Sequence, residues 1–253
     1  ASPALAAGDA DKVQKVGHGE VNWTQKTVTA TGSGAANLKD ANVAVARLNA
    51  ERAAKLDALR NILETIQGIQ VDANRSAGDM MSNGEIRSQV QGMAKNFKVV
   101  DTKYYSDGSV DVVVQMPIDD ALTRAFVQTS ADVKPATGGK EQYTGLIINA
   151  KAIGVLPSLA PRIVDENGVE LYGVTTVSAE ALSQGGIASY LRDLQTAKSS
   201  PQVGSKPLVV KAMALAKGSK TDLVLAAGDA KLLQDKGIDR SFLTKGKVVI
   251  VID

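Results

Sequence analysis

The residues of this 253-residue chain best equipped for chemistry are few and widely spaced. A single histidine, His18, sits in Gly17-His18-Gly19-Glu20. An imidazole can serve as a general base, but no nucleophile or orienting acid stands near it in sequence, so it reads as an exposed, idle side chain. With no cysteine, thiol nucleophiles, thiolate metal sites and disulfides are all excluded. Gly32-Ser33-Gly34 follows a strand-like stretch and precedes a helical one, the context of a dinucleotide-binding loop. Asn37 stands where the third glycine belongs, and the segment reads as a turn or bulge. Gly218-Ser219-Lys220-Thr221 lacks the upstream glycine and the Gly-Lys pair of a phosphate-binding loop, and a strand follows it rather than a helix. Two carboxylate pairs remain. Asp119-Asp120 is placed to cap a helix, and Asp165-Glu166 lies beside a turn where acidic residues are common. No catalytic, cofactor-binding or metal-ligating residue is expected, and no cofactor.

Composition narrows the class of work. The 29 basic and 27 acidic groups leave a net charge of +2, with no long basic block, and aromatic residues make up 4% of the chain. Nucleic acid is therefore not an expected partner. The chain opens ASPALAAGDA without an initiator methionine, as expected after removal of a signal peptide, so export to the periplasm, outer-membrane periphery or cell surface is expected. No apolar run approaches the length of a transmembrane segment.

The elements that would position any site are organised around one long helix, Asp40 to Gly68. At 100° per residue, Ala41, Val45, Leu48, Leu56, Leu59, Leu63 and Ile66 form one apolar stripe, read here as the face that meets a sheet. Asp40 is placed as its N-cap, and Gly68 as a left-handed terminus. Arg52 falls within the stripe. Its stem covers apolar surface while its guanidinium reaches a carboxylate or solvent, or pairs across a subunit interface. Before the helix, residues 1–19 read as an amino-terminal arm and Glu20 to Ala30 as an extended segment containing Trp23. After it come a short strand at Ile69 to Asp72, a helix at Glu85 to Lys95, and a hairpin turned by Asp107-Gly108. The expected class is α+β in two domains: a helix-on-sheet domain at 20–128, a linker at 129–142, and a mixed α/β domain at 143–253. In the latter, Asn167-Gly168 turns a hairpin, Ala188 to Ala197 reads as helix, and Leu208 to Ala216, Asp222 to Ala226 and Lys247 to Ile252 read as strands.

The string VNWTQKTVTATGSGA followed by ARLNAERAAKLDALRNILETIQGIQVD resembles the small outer-membrane lipoprotein family that includes the flagellar protein FlgP and is related to the amino-terminal domain of FlgT. The resemblance spans roughly residues 20–118. It implies a long helix on a small sheet and a structural role in envelope assemblies, with outer-membrane or flagellar-motor proteins as partners. The start of the chain carries no cysteine for a lipid, which departs from that family. The carboxy-terminal half, including TGLIINAKAIGVLPSLAPRIVDENGVELYG, looks like a domain appended to such modules in secreted bacterial proteins. The expectation is an exported structural protein that self-associates into a ring, disc, tube or filament. The competing class is a monomeric periplasmic adaptor or binding module for an envelope protein or a glycan. Self-association is expected through Arg52 and through the arm, which would add as a strand to a neighbouring copy and be anchored by Ala4, Leu5 and Val13.

Overall fold

A computed structural model describes residues 11–37, 42–128, 139 and 141–253. The chain is α+β and divides into two compact units. Unit 1 comprises Val13–Ile69 and Ala77–Ile118; unit 2 holds residues 11–12, Gln70–Ser76 and Asp119–Asp253.

In unit 1 the elements are β1 (Val13–Val16), β2 (Gly19–Asn22), β3 (Thr27–Gly34), α1 (Val43–Gln67), α2 (Ala77–Met80), α3 (Gly84–Ala94), β4 (Lys98–Tyr104) and β5 (Val110–Pro117). The strands form an antiparallel sheet in the order β1-β2-β3-β5-β4. β5 is the clearest case of alternation, with Val110, Val112, Val114 and Met116 buried and the residues between them partly exposed. Gly108 takes φ +85° in the β4–β5 turn, as the Asp-Gly pair requires.

Several expectations are corrected here. Residues 13–16 of the expected arm are β1, paired with β2 of the same chain; Val13 lies opposite Asn22, while Ala4 and Leu5 lie outside the described residues. The extended segment around Trp23 is broken by a turn at 23–26, where Trp23 is buried and donates to Gln14 Oε1 at 2.9 Å. Gly32-Ser33-Gly34 is not a turn but the end of β3. Residues 69–72 form no strand, only an isolated bridge between Gln70 and Ser76.

The largest correction concerns α1. Its buried residues are Ala46, Ala50, Ala54, Ala58, Ile62, Thr65 and Ile66, whereas Val45, Leu48 and Leu56 are exposed. The helix thus meets the sheet through alanines, not through the leucine stripe. The reason lies in β3. A Cβ on Gly32 would stand 2.1 Å from Ala58 N, and one on Gly34 would stand 1.9 Å from Ala50 O. Helix and strand backbones touch directly, and only a small-residue helix face fits that separation. The helix cap is Asn42, whose side chain accepts from Ala44 N at 2.9 Å; Asp40 and Ala41 lie outside the described residues. Gly68 ends the helix at φ −78°, not left-handed. A Cβ there would come within 2.2 Å of Val16 Cγ1, so packing against β1 explains that glycine.

Unit 2 contains α4 (Asp120–Phe126), β6 (Glu141–Gln142), β7 (Gly145–Asn149), β8 (Ile163–Val164), β9 (Glu170–Tyr172), α5 (Ala179–Gly185), β10 (Ser189–Leu191), α6 (Leu194–Lys198), β11 (Pro207–Leu215), β12 (Leu223–Leu225), α7 (Ala227–Gln234), β13 (Ile238–Asp239), α8 (Ser241–Thr244) and β14 (Val248–Val251). Its mixed sheet runs β10-β14-β7-β11-β12-β8-β9, with β7 parallel to both β14 and β11. Residues 145–148 of β7 and the whole of β14 are buried, the continuous burial expected of central parallel strands. Ile147, Leu191, Ala197, Val203, Val249 and Val251 form one core cluster against which Leu194 packs. The expected helix at 188–197 is instead strand β10 followed by α6, because residues 189–191 pair with Val249 to Val251. The expected boundary at 128 falls beyond the division at Ile118, since α4 packs with α5 in unit 2. Residues 129–138 and 140 of the expected linker lie outside the described residues.

Candidate functional site

The residues singled out for chemistry are dispersed. His18, in the β1–β2 turn, lies 2.9 Å from Glu64 Oε2 on α1, a carboxylate too distant in sequence to be paired with it by reading alone. Both side chains are exposed. Ser33 donates its N–H to Asp57 Oδ2 at 3.0 Å and its hydroxyl to Asp111 Oδ1 at 2.7 Å, while the Tyr105 hydroxyl donates to Asp111 Oδ2 at 2.7 Å. These donors hold the Asp111 carboxyl below its ordinary range. They tie helix, strand and hairpin together and leave no phosphate cradle at Gly32-Ser33-Gly34.

Asp119, the Asp165-Glu166 pair and the second glycine motif serve the backbone, whereas Asp120 pairs with the Arg124 guanidinium. Asp119 caps α4 by accepting from Leu122 N at 2.9 Å, as its position before that helix predicts. Asp165 Oδ1 accepts from Asn167 N and Val169 N in the β8–β9 turn, and Glu166 accepts from Ala227 N at the start of α7. Ser219 Oγ accepts from Thr221 N and Asp222 N in the turn before β12. Among the described residues, no group of three or more His, Cys, Asp or Glu side chains is placed to hold a metal ion. No helix of the described residues is long and apolar enough to cross a membrane.

Unit 2 has a cleft of about 280 Å³ lined by residues 71–75, Phe126, Val127, Gln128, Ala160, Arg162 and Val174. Its two guanidinium groups are both matched by carboxylates. Arg75 Nε donates to Asp72 Oδ2 at 2.9 Å, and Arg162 Nε donates to the fully buried Asp222 at 2.9 Å. Asp222 also accepts from Arg162 N and the Thr221 hydroxyl. The bond to Asp222 raises the Arg162 pKa, as a stabilised cation requires. Both cations of the cleft are therefore paired, and the 70–76 segment is held by backbone bonds. Leu159 N and Ala160 N bind the carbonyls of Gln70 and Val71 at 3.0 and 2.8 Å.

The most unusual surface is the outer side of α1. Val45, Leu48, Arg52, Leu56, Leu59 and Leu63 recur at intervals of three, four, four, three and four residues. At 100° per residue the stripe's centre lies roughly 160° around the axis from the alanine face. Leu56 is 68% exposed, Leu48 48% and Val45 47%, while Leu59 and Leu63 are half-buried. Arg52 is exposed in the middle of this stripe and makes no hydrogen bond or ion pair with the described residues. Along one flank, Glu51 accepts from Lys55 Nζ at 2.7 Å and from the Tyr104 hydroxyl at 3.0 Å. The Arg47 guanidinium lies 5.7 Å from the centre of the Tyr104 ring. Ala44, Arg47, Leu48, Glu51 and Tyr104 line a shallow groove of about 230 Å³.

A family match falls within unit 2. Residues 145–253 match the second domain of Treponema pallidum Tp0624. No curated protein matches the chain. The similarity covers strands β7 to β14 and does not extend to α1 and its sheet. Of the residues expected to mediate self-association, Arg52 lies on the exposed stripe and Val13 within the chain's own sheet. The signal missed in sequence was the Ala50, Ala54, Ala58 series at four-residue spacing, together with Gly32 and Gly34 two apart on a strand. Read together, those two series identify the buried face and leave Leu48 and Leu56 outside.

Proposed function

We propose that this chain is an exported structural protein that associates with copies of itself to build a cell-envelope or cell-surface assembly, without chemistry of its own. The observation that carries the reading is the leucine side of α1. Complete burial of one such side chain is worth about 1.5–3 kcal/mol, and contiguous exposed apolar patches mark sites of association. A helix whose sheet-facing side is alanine, and whose opposite side is leucine, carries its larger apolar groups toward something outside its own core. The resemblance of residues 20–118 to the FlgP-like envelope proteins supports the same reading, and outer-membrane or flagellar-motor proteins are further candidate partners.

Sedimentation velocity of the full chain over a wide concentration range tests this. Mass above that of the 26.3 kDa monomer, growing with concentration, is expected. A monomer at every concentration would overturn the reading and favour an adaptor for an envelope protein or a glycan.

A further inference from the structure

The self-association reading leaves open which surface meets which, and the spacing on α1 answers that. From Val45 to Leu59 the intervals are three, four, four and three, a pattern that reads the same in either chain direction and is centred on Arg52. A two-fold interface requires a surface complementary to itself. We propose that α1 packs antiparallel against α1 of a second copy about a two-fold axis at Arg52. Leu48 then meets Leu56 of the other copy, and Val45 meets Leu59.

Three physical features favour this arrangement. Val45 and Leu56, Leu48 and Leu59, and Arg52 and Leu63 are each separated by eleven residues. An eleven-residue repeat spans about 3.67 residues per turn, close to the α-helix's own period, so the stripe stays on one side of a nearly straight helix and supports contact over roughly 20 Å. Charge also selects the direction. In an antiparallel pair the flank bearing Glu51 and Lys55 meets the same flank of the other copy, so each Glu51 carboxylate lies within reach of the other's Lys55 and of the two Arg52 guanidinium groups that meet at the axis, offsetting their repulsion. A parallel pair sets that flank against Asn49 and Ala53, which carry no charge. Finally, the two helix dipoles oppose one another in the antiparallel pair, which lowers the energy of the contact.

The absence of cysteine makes a direct test possible, because every thiol is one that is introduced. A disulfide needs Cα atoms within about 7 Å, which only residues on or across the axis achieve. In the full chain, Arg52→Cys alone is expected to give a covalent dimer under mild oxidation. Relative to the exposed α3 control Gln91→Cys, it should form roughly tenfold faster or more, because pairing raises the effective concentration of the two thiols. Leu48→Cys alone and Leu56→Cys alone should resemble the control, whereas the double variant Leu48→Cys/Leu56→Cys should cross-link. Equal rates for Arg52→Cys and Gln91→Cys overturn the proposal, as does efficient cross-linking of Leu48→Cys alone, which signals a parallel pair. Sedimentation of the unsubstituted chain separates the two levels. Association without the Arg52 cross-link rejects this surface and keeps the self-association reading; a monomer throughout rejects both.

Discussion

The two sides of α1 make opposite use of side-chain size. Toward the sheet, Ala46, Ala50, Ala54 and Ala58 bring the helix backbone onto the strand that carries Gly32 and Gly34. Away from it, Val45, Leu48 and Leu56 stand in solvent. The inner contact gains from close backbone approach and many small dispersion contacts, so it has almost no tolerance for added volume. The outer side has volume to bury, most of it at Val45, Leu48 and Leu56, whereas Leu59 and Leu63 are already half-buried. Burial on a helix follows how near its neighbour can come, and the more hydrophobic stripe is not always the inner one.

This contrast is open to direct attack. The largest effect is expected from Gly34→Val, because the first added carbon would lie 1.9 Å from Ala50 O and 2.7 Å from Ala54 N, both backbone atoms. A loss of about 3 kcal/mol or more in urea-unfolding stability is expected, or failure to fold. An unchanged unfolding midpoint would show that the helix does not rest on β3. A much smaller effect is expected from Leu56→Asp, which places a carboxylate four residues from both Arg52 and Arg60 on the solvent side. Monomer stability should change by no more than about 0.5 kcal/mol while the sedimenting mass falls. Collapse of the fold in that variant would return Leu56 to the core and erase the distinction between the sides.

The smallest effect belongs to the flank between the two sides. Hydrogen bonds from Lys55 and then Tyr104 hold the Glu51 carboxyl below its ordinary 4.5. A depressed folded-state value means stability that is present above the ordinary value and lost as pH falls through the depressed one. The Glu51 side chain is half-buried and still reached by solvent, so screening leaves no more than about a few tenths of a kcal/mol. The stability difference between the unsubstituted chain and Glu51→Gln should therefore be small at neutral pH and shrink toward zero on acidification. A difference that grows as pH falls would mean that Glu51 is not the group held in its charged form.

Local signals in the sequence were reliable where the chain's immediate neighbours decide the conformation. Asp107-Gly108 and Asn167-Gly168 give turns with Gly108 and Gly168 at positive φ, and Asp119 caps its helix. The long helix and the α+β class were also legible. Misreadings arose where a distant segment decides. Residues 189–191 become strand because β14, some sixty residues later, supplies the ladder. The inner face of α1 is chosen by two glycines on a strand that precedes it. His18 and Glu64 are joined only once β1 and β2 lie beside the helix end. As for the candidate surface, its residues were visible as one stripe with Arg52 inside it, but the side on which that stripe lies was not.

The chain's path has a consequence for how such a protein can be divided. Asp11 forms a bridge with Leu191, residues 70–76 are held through Leu159 and Ala160, and both segments belong to unit 2 although unit 1 sequence follows each of them. Neither unit is a continuous cassette. A gene fragment ending after residue 118 would encode two segments whose hydrogen-bonding partners are missing, and one beginning at residue 145 would lack strands of chain that its own cleft and sheet edge use. A cut between residues 118 and 145 parts Asp11 from Leu191, and Gln70 and Val71 from Leu159 and Ala160, so neither piece keeps the hydrogen bonds it has in the whole chain.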